Sequence, residues 1–319
     1  MNERKKKKPL IAVVGPTASG KTSLAIELAK KFNGEIISAD SMQVYKEMNI
    51  GTAKPSMEER QGIAHYMMDV VSVCQEYTVG QYQKQATQCI DDVYNAGKQP
   101  ILCGGTGLYI RSILHPMQFS NAEGNPKIRQ NLQEFVNQYG NKALHLKLEK
   151  VDPESAQRLH ENDVKRVIRA LEIFELTGQP YSSYNRDFQS LEKDDRYQTL
   201  ILGLQWPRDI LVERIQKRID MMVDNGLIEE AKMIYNLHLP ANIPSLQGIG
   251  YRQLFPYFEG TGSKEKALED IFIQSRQYAK RQMTWFRNQE KVCWIDAYSA
   301  DPYPEAQALV EKFLSEHGE

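Results

Sequence analysis

What most constrains this chain is a short apolar run that passes through a glycine loop into a helix. Leu10 to Val14 (LIAVV) is uninterrupted and largely β-branched, and Gly15-Pro16-Thr17-Ala18-Ser19-Gly20-Lys21-Thr22 follows it directly. From Lys21 to Phe32 the apolar residues Leu24, Ala25, Leu28 and Ala29 recur at helical spacing. Strand, glycine turn and helix in this order match G-x-x-x-x-G-K-[ST] in the setting its mechanism needs. The glycines let backbone N–H groups curl around an oxyanion, and the helix N terminus adds partial positive charge. Lys21 supplies a mobile cation, and the Thr22 hydroxyl is a candidate ligand for Mg²⁺. Gly15 to Thr22 are therefore read together as a pyrophosphate or polyphosphate site, open to a nucleotide such as ATP without specifying one.

Further strands and helices alternate behind this unit. Glu35 to Ala39 reads as a second strand, Val79 to Asn95 as a helix stopped by Gly97, and Gln99 to Cys103 as a third strand running into Gly104-Gly105. A helix start follows at Leu108. Such alternation predicts an α/β fold of the P-loop NTPase-like kind, a parallel sheet with helices on both faces. Between Asn121 and Asp187 the pattern turns helical, over Pro126 to Gln138, Glu154 to His160 and Asp163 to Thr177. Strand signals return at Thr199 to Leu204 and Lys291 to Asp296, with helices starting near Arg208 and Glu265 between them. The predicted organisation is a P-loop core over 1–120, an all-helical insertion over 121–190, and the core resuming over 191–319 with C-terminal helices.

Composition mainly excludes. The 40 Lys and Arg nearly balance the 41 Asp and Glu, so bulk charge gives no reason to expect a polyanionic partner, although charge can be segregated on one face. The 4 Cys lie far apart with no C-x-x-C pair, which argues against a disulfide framework or zinc cluster and fits a reducing compartment. No apolar run approaches the ~18 residues of a membrane span, and the run after the basic start is too short for a signal-peptide core. A cytoplasmic protein is expected, with Lys5 to Lys8 as a solvated start. Nucleotide hydrolases usually follow an apolar strand with a magnesium-holding Asp, whereas the third strand here runs into Gly104-Gly105-Thr106. A motor or switch ATPase is disfavoured; small-molecule kinases and other phosphate-handling transferases remain.

In a doubly wound sheet, ligands bind beyond the carboxyl ends of the strands. Asp40 ends the second strand, where it is either a general base or magnesium partner, or a cap for the following turn. Thr106 ends the third, where it either offers its hydroxyl to a substrate or caps the next helix.

The segments GPTASGKT, DSMQVY and GGTGLY, at this order and spacing, resemble the tRNA dimethylallyltransferases (tRNA isopentenyltransferases). The resemblance continues through Pro126 to Leu132, Asn162 to Ile173, Arg214 to Met222, Gly248 to Gln253 and Gln274 to Gln282. It spans about Leu10 to Asp296. It implies transfer of a dimethylallyl group from dimethylallyl pyrophosphate to N6 of the adenosine just 3′ of a tRNA anticodon, position 37, with release of pyrophosphate. The phosphate loop and Mg²⁺ would then stabilise the leaving group. By the same resemblance Asp40 takes or orients the N6 proton, Thr106 stands near the reacting centre, and an arginine of Arg214 to Met222 reaches the pyrophosphate, here assigned to Arg218.

An adenosine stacked in an anticodon loop must be flipped out to be alkylated by a buried donor. The resemblance places Asp40, Ser41, Met42, Gln43, Thr106, Arg129, Asn162, Asp163, Val164, Lys165, Arg166, Ile249, Gly250, Tyr251, Arg252, Gln253, Gln274, Arg276, Lys280 and Arg281 along the tRNA path. The insertion would clamp the anticodon stem. Basic residues here either grip phosphates or form a solvated charged face, and interleaved Tyr278, Trp285 and Phe286 are either base-stacking platforms or core. With no Cys/His cluster near the C terminus, the resemblance is to the shorter bacterial form, expected to act as a monomer.

Overall fold

The computed structural model describes residues 7–115, 117, 119, 124–184, 196–241 and 243–317. The apolar run becomes β1 (Lys8–Val14), buried on both faces from Pro9 onward. There follow α1 (Lys21–Lys31), β2 (Gly34–Ser38), β3 (His65–Tyr66), α2 (Val79–Asn95), β4 (Gln99–Gly104) and α3 (Gly107–Leu114). After these come α4 (Pro126–Val151), α5 (Pro153–Arg158) and α6 (Val164–Thr177). The chain continues with β5 (Tyr197–Gln205), α7 (Arg208–Asp224), α8 (Leu227–Tyr235), α9 (Phe255–Phe258), α10 (Lys264–Gln289), β6 (Cys293–Asp296) and α11 (Pro302–His317).

The strands form one six-stranded sheet in the order β3-β2-β4-β1-β5-β6, every pair parallel. The alternating side chains of β1 feed two cores. Leu10, Ala12 and Val14 pack with residues of α2, α3, α7, α8 and α10, whereas Ile11 and Val13 pack with α1 and α11. Each such buried aliphatic side chain stabilises the fold by about 2 kcal/mol. This is the α/β architecture expected from the strand–helix alternation. Lys5 and Lys6 of the lysine run lie outside the described residues, while Lys8 is paired with Asp91 at 2.8 Å.

The chain divides into two compact units, Met1–Leu114 with Asp194–Glu319, and His115–Lys193. In the second, Leu132, Leu144 and Leu148 of α4 pack on Val167 and Leu171 of α6. The helix expected to end at Gln138 instead breaks at Gly140, with φ of 83°, and resumes to Val151 because Leu144 and Leu148, one turn apart, face the same core. The fully buried Glu172 carboxylate anchors this unit. It accepts the Asn125 N–H, Arg129 Nε and Arg169 Nη1 at 2.7, 2.7 and 2.6 Å. The predicted ends of the insertion, 121–123 and 185–190, lie outside the described residues. Among the described residues, no helix is long and apolar enough to cross a membrane.

Strand register brings the candidate site together. Val14 pairs with Gly104, and Ser38 with Cys103, so the loops after β1, β2 and β4 leave the sheet at one edge. Gly104 is required there, because a Cβ would run into the Ala39 backbone.

Candidate active site

The phosphate loop begins at Gly15, with φ of 151°, and ends at Gly20, whose φ of 89° is left-handed and suits glycine. Gly20 caps α1 without a side-chain hydrogen bond, leaving the first-turn N–H groups for an anion. Lys21 Nζ donates to the Pro16 carbonyl at 3.3 Å. Burial, and next the charge of Arg218, lower the Lys21 ammonium below its ordinary range, while Cys103 and Asp40 pull the other way. The outer side of the loop is held by its neighbours. Trp206 Nε1 donates to the Ser19 carbonyl at 2.9 Å and Arg214 Nε to the Ala18 carbonyl at 2.8 Å. From α10, Gln282 accepts the Thr17 N–H at 2.9 Å and donates to the Gly105 carbonyl at 2.9 Å.

The loops after β2 and β4 are tied to each other. Asp40 Oδ1 accepts the Met42 N–H at 2.9 Å, a local turn of the capping kind. Its charge is nonetheless felt across the cavity by Lys21, Arg218 and Tyr278. Thr106 Oγ1 accepts the Ser41 N–H at 3.0 Å and lies 3.3 Å from Ser41 Oγ. The Thr106 hydroxyl therefore ties the loop after β4 to the loop after β2, and Thr106 is not among the residues that line the two cavities of the site. Tyr278, pushed up to about 12 by burial and then by the Asp40 charge, stays protonated at neutral pH.

Two cavities open between these groups. The smaller, about 50 Å³, is lined by Lys21, Thr22, Asp40, Gln43 and Arg218 among others. The larger, about 290 Å³, has an apolar wall of Ile215, Ile219, Met222, Leu227, Ile249 and Ile271. Thr17, Asp40, Arg218 and Tyr278 line both, so the two cavities are neighbours. Burial lowers the Arg218 guanidinium from its usual very high value, with Asp40 opposing, and it stays cationic.

The other expected site residues separate into groups. Ser41, Met42, Ile249, Gly250 and Arg281 line the larger cavity, and Arg276, Lys280 and Arg252 are exposed. Gln253 bridges the Gly250 N–H and Gln274 at 3.0 and 2.7 Å. Gln43 is buried and engaged with Ser38 and the Thr52 carbonyl. In the second unit, Lys165 and Arg166 are exposed, Asn162 accepts from Asn141 at 3.1 Å, Asp163 pairs with Arg166 at 3.0 Å, and Arg129 is held by Glu172.

One expectation needs correction. Tyr251 is fully buried, and its hydroxyl donates to Glu230 at 2.8 Å, so its side chain offers no surface to RNA. Val164 is half-buried and packs against the core of the second unit. Of the possible stacking platforms, Phe286 is fully buried and therefore core, while half-buried Trp285 lies close against Gly107 at the start of α3. Tyr278, read in the sequence as stacking platform or core, lines both cavities, whereas Gln282 is not singled out by sequence reasoning, although its i, i+4 spacing from Tyr278 on α10 is a readable signal.

A model of the IPP transferase family matches residues 43–289. The chain belongs to that family. As a family member it is 44% identical over 307 residues to a tRNA dimethylallyltransferase of Thermoanaerobacter sp. (strain X514), covering 96% of this chain and 97% of the relative. It is 42% identical over 306 residues to one of Shouchella clausii, with 96% of each covered. Among solved structures it resembles a tRNA isopentenylpyrophosphate transferase from Bacillus halodurans, with 41% identity, a TM-score of 0.72 and 98% of both chains covered. It also resembles a eukaryotic dimethylallyltransferase acting on tRNA, with 30% identity and a TM-score of 0.82, over 98% of this chain and 80% of that one.

Proposed function

We infer that this IPP transferase moves a dimethylallyl group from dimethylallyl pyrophosphate to N6 of adenosine 37 beside the tRNA anticodon, releasing pyrophosphate. The observation that carries this reading is the pair of neighbouring cavities, one cationic and small, one apolar and larger, that share Thr17, Asp40, Arg218 and Tyr278. A pyrophosphate suits the first; a five-carbon chain and a flipped adenine suit the second. The scissile allylic carbon–oxygen bond then lies beside these shared residues. As it breaks, both electrons leave with the pyrophosphate oxygen, and Lys21, Arg218 and the loop N–H groups neutralise the growing charge. The N6 lone pair forms the new carbon–nitrogen bond, and the N6 proton passes to the Asp40 carboxylate. The lone pair is delocalised in adenine, so removal of that proton is where a base helps most.

Thr22 and Asp40 both line the small cavity, and a side-chain hydroxyl is an oxygen donor of the kind a hard cation takes. Thr22 would hold Mg²⁺, which when bound supplies charge neutralisation for the pyrophosphate and leaves the Asp40 carboxylate to take the N6 proton. The exposed face of α10, with Arg276, Lys280 and Arg281, is the proposed RNA grip beside the cavity, and the helical unit is the proposed clamp on the anticodon stem. The test is competition: inorganic pyrophosphate and dimethylallyl pyrophosphate should displace each other from the protein. Displacement by ATP of equal or greater strength, with phosphoryl transfer to an added acceptor, would replace this reading with a kinase.

A further inference from the structure

Gln282 is polar on a face of α10 that is otherwise Ala267, Ile271, Ala279 and Phe286. Its side chain is 5% exposed, and its amide fills the space a Cβ on Gly105 would need. Burying an amide costs stability unless both ends are paired, so an aliphatic residue of equal length would serve packing better. Both ends are paired here, and to different loops: Oε1 to the Thr17 N–H and Nε2 to the Gly105 carbonyl, each at 2.9 Å. A planar carboxamide is suited to accept from one loop while donating to the other. Thr17 lines both cavities. Gly105 precedes Thr106, whose hydroxyl holds the Ser41 N–H next to Asp40.

We propose that Gln282 is a positioning residue that fixes the separation of the phosphate loop from the loop carrying Thr106, so that the bond to be broken lies opposite Asp40. This rests on the pyrophosphate-donor reading for the reaction, but not for the clamp itself. Any pyrophosphate seated in the loop depends on the same two hydrogen bonds.

The decisive variant is Gln282→Glu, which is isosteric. Ionised, it still accepts from Thr17 but sets a second oxygen against the Gly105 carbonyl; protonated, it donates to that carbonyl and restores both bonds. Gln282→Ala removes both at every pH. Two quantities are measured for the wild type and both variants from about pH 8 down to about pH 5, a span that brings a carboxyl toward protonation. They are the single-turnover rate at saturating donor and tRNA, and the affinity for inorganic pyrophosphate. Gln282→Ala should transfer about a hundredfold more slowly, the cost of a misplacement on the order of 1 Å. It should bind pyrophosphate about tenfold more weakly, because the loop is no longer preorganised, with tRNA affinity unchanged. The Gln282→Glu to wild-type ratio of both quantities should climb as pH falls. A flat ratio, or Gln282→Ala within twofold of wild type, overturns the proposal. If the variants follow this pattern for pyrophosphate while the wild type transfers no prenyl group, the donor reading fails and the clamp stands.

Discussion

The Trp206 ring and the Arg214 guanidinium lie 4.0 Å apart, and each donates to the phosphate loop, Trp206 to the Ser19 carbonyl and Arg214 to the Ala18 carbonyl. Carbonyl oxygens tied back in this way do not face a bound anion. Arg218, one turn further along α7, instead lines both cavities and makes no hydrogen bond or ion pair among the described residues. Two arginines of one helix face are thus placed differently: Arg214 holds the loop, and Arg218 lines both cavities. Arg218→Ala should lower turnover about a hundredfold or more, as loss of charge stabilisation in a preorganised site does. Arg214→Ala should chiefly weaken pyrophosphate binding, and Arg214→Lys should recover only part of it, since an ammonium lacks the planar fork. Turnover at saturating donor and calorimetric pyrophosphate affinity, measured on both, separate the two roles; identical profiles would merge them.

Asp40→Asn preserves the oxygen that accepts the Met42 N–H, so the turn should survive. Donor and tRNA should still bind, while turnover falls by about 10² to 10⁴, the range for a lost general base. Loss of tRNA binding in parallel with turnover would make Asp40 a gripping residue instead.

Glu230 accepts the N–H groups of Asn49, Ile50 and Gly51 together with the Tyr251 hydroxyl. Tyr251→Phe removes one bond to a buried carboxylate and should cost about 1.5 kcal/mol of stability. Its tRNA affinity should match wild type, to be read by filter binding beside thermal unfolding. A stable protein with weakened tRNA binding would return Tyr251 to the RNA path.

Replacing Arg276, Lys280 and Arg281 together by alanine should weaken tRNA binding and flatten the plot of log affinity against log salt by about 2, at roughly 0.7 for each single-strand phosphate left without its cation. An unchanged slope would show that this exposed face of α10 does not meet the backbone.

The parts of the fold legible in sequence are those whose signals are local. β1, the glycine loop and α1 share one continuous stretch, and the alternation behind it gives the parallel sheet. β3 is only the residues His65 and Tyr66 paired to β2, too short to carry a period. Thr106 reads as either cap or ligand in sequence because its actual partner, Ser41, lies 65 residues earlier. Tyr251 looks available for the same reason: the carboxylate that buries its hydroxyl is 21 residues away, on α8. Gln282 sits in a segment that looks like an amphipathic helix, and only the approach of two distant loops shows why an amide stands on its apolar side.

The most direct measurement incubates the protein with Mg²⁺, labelled dimethylallyl pyrophosphate and unmodified tRNA, with ATP in a parallel tube, and digests the RNA to nucleosides. Label should appear in N6-dimethylallyladenosine, with one pyrophosphate released per group transferred. No label in the RNA, with ATP consumed in the presence of a small acceptor, would contradict it.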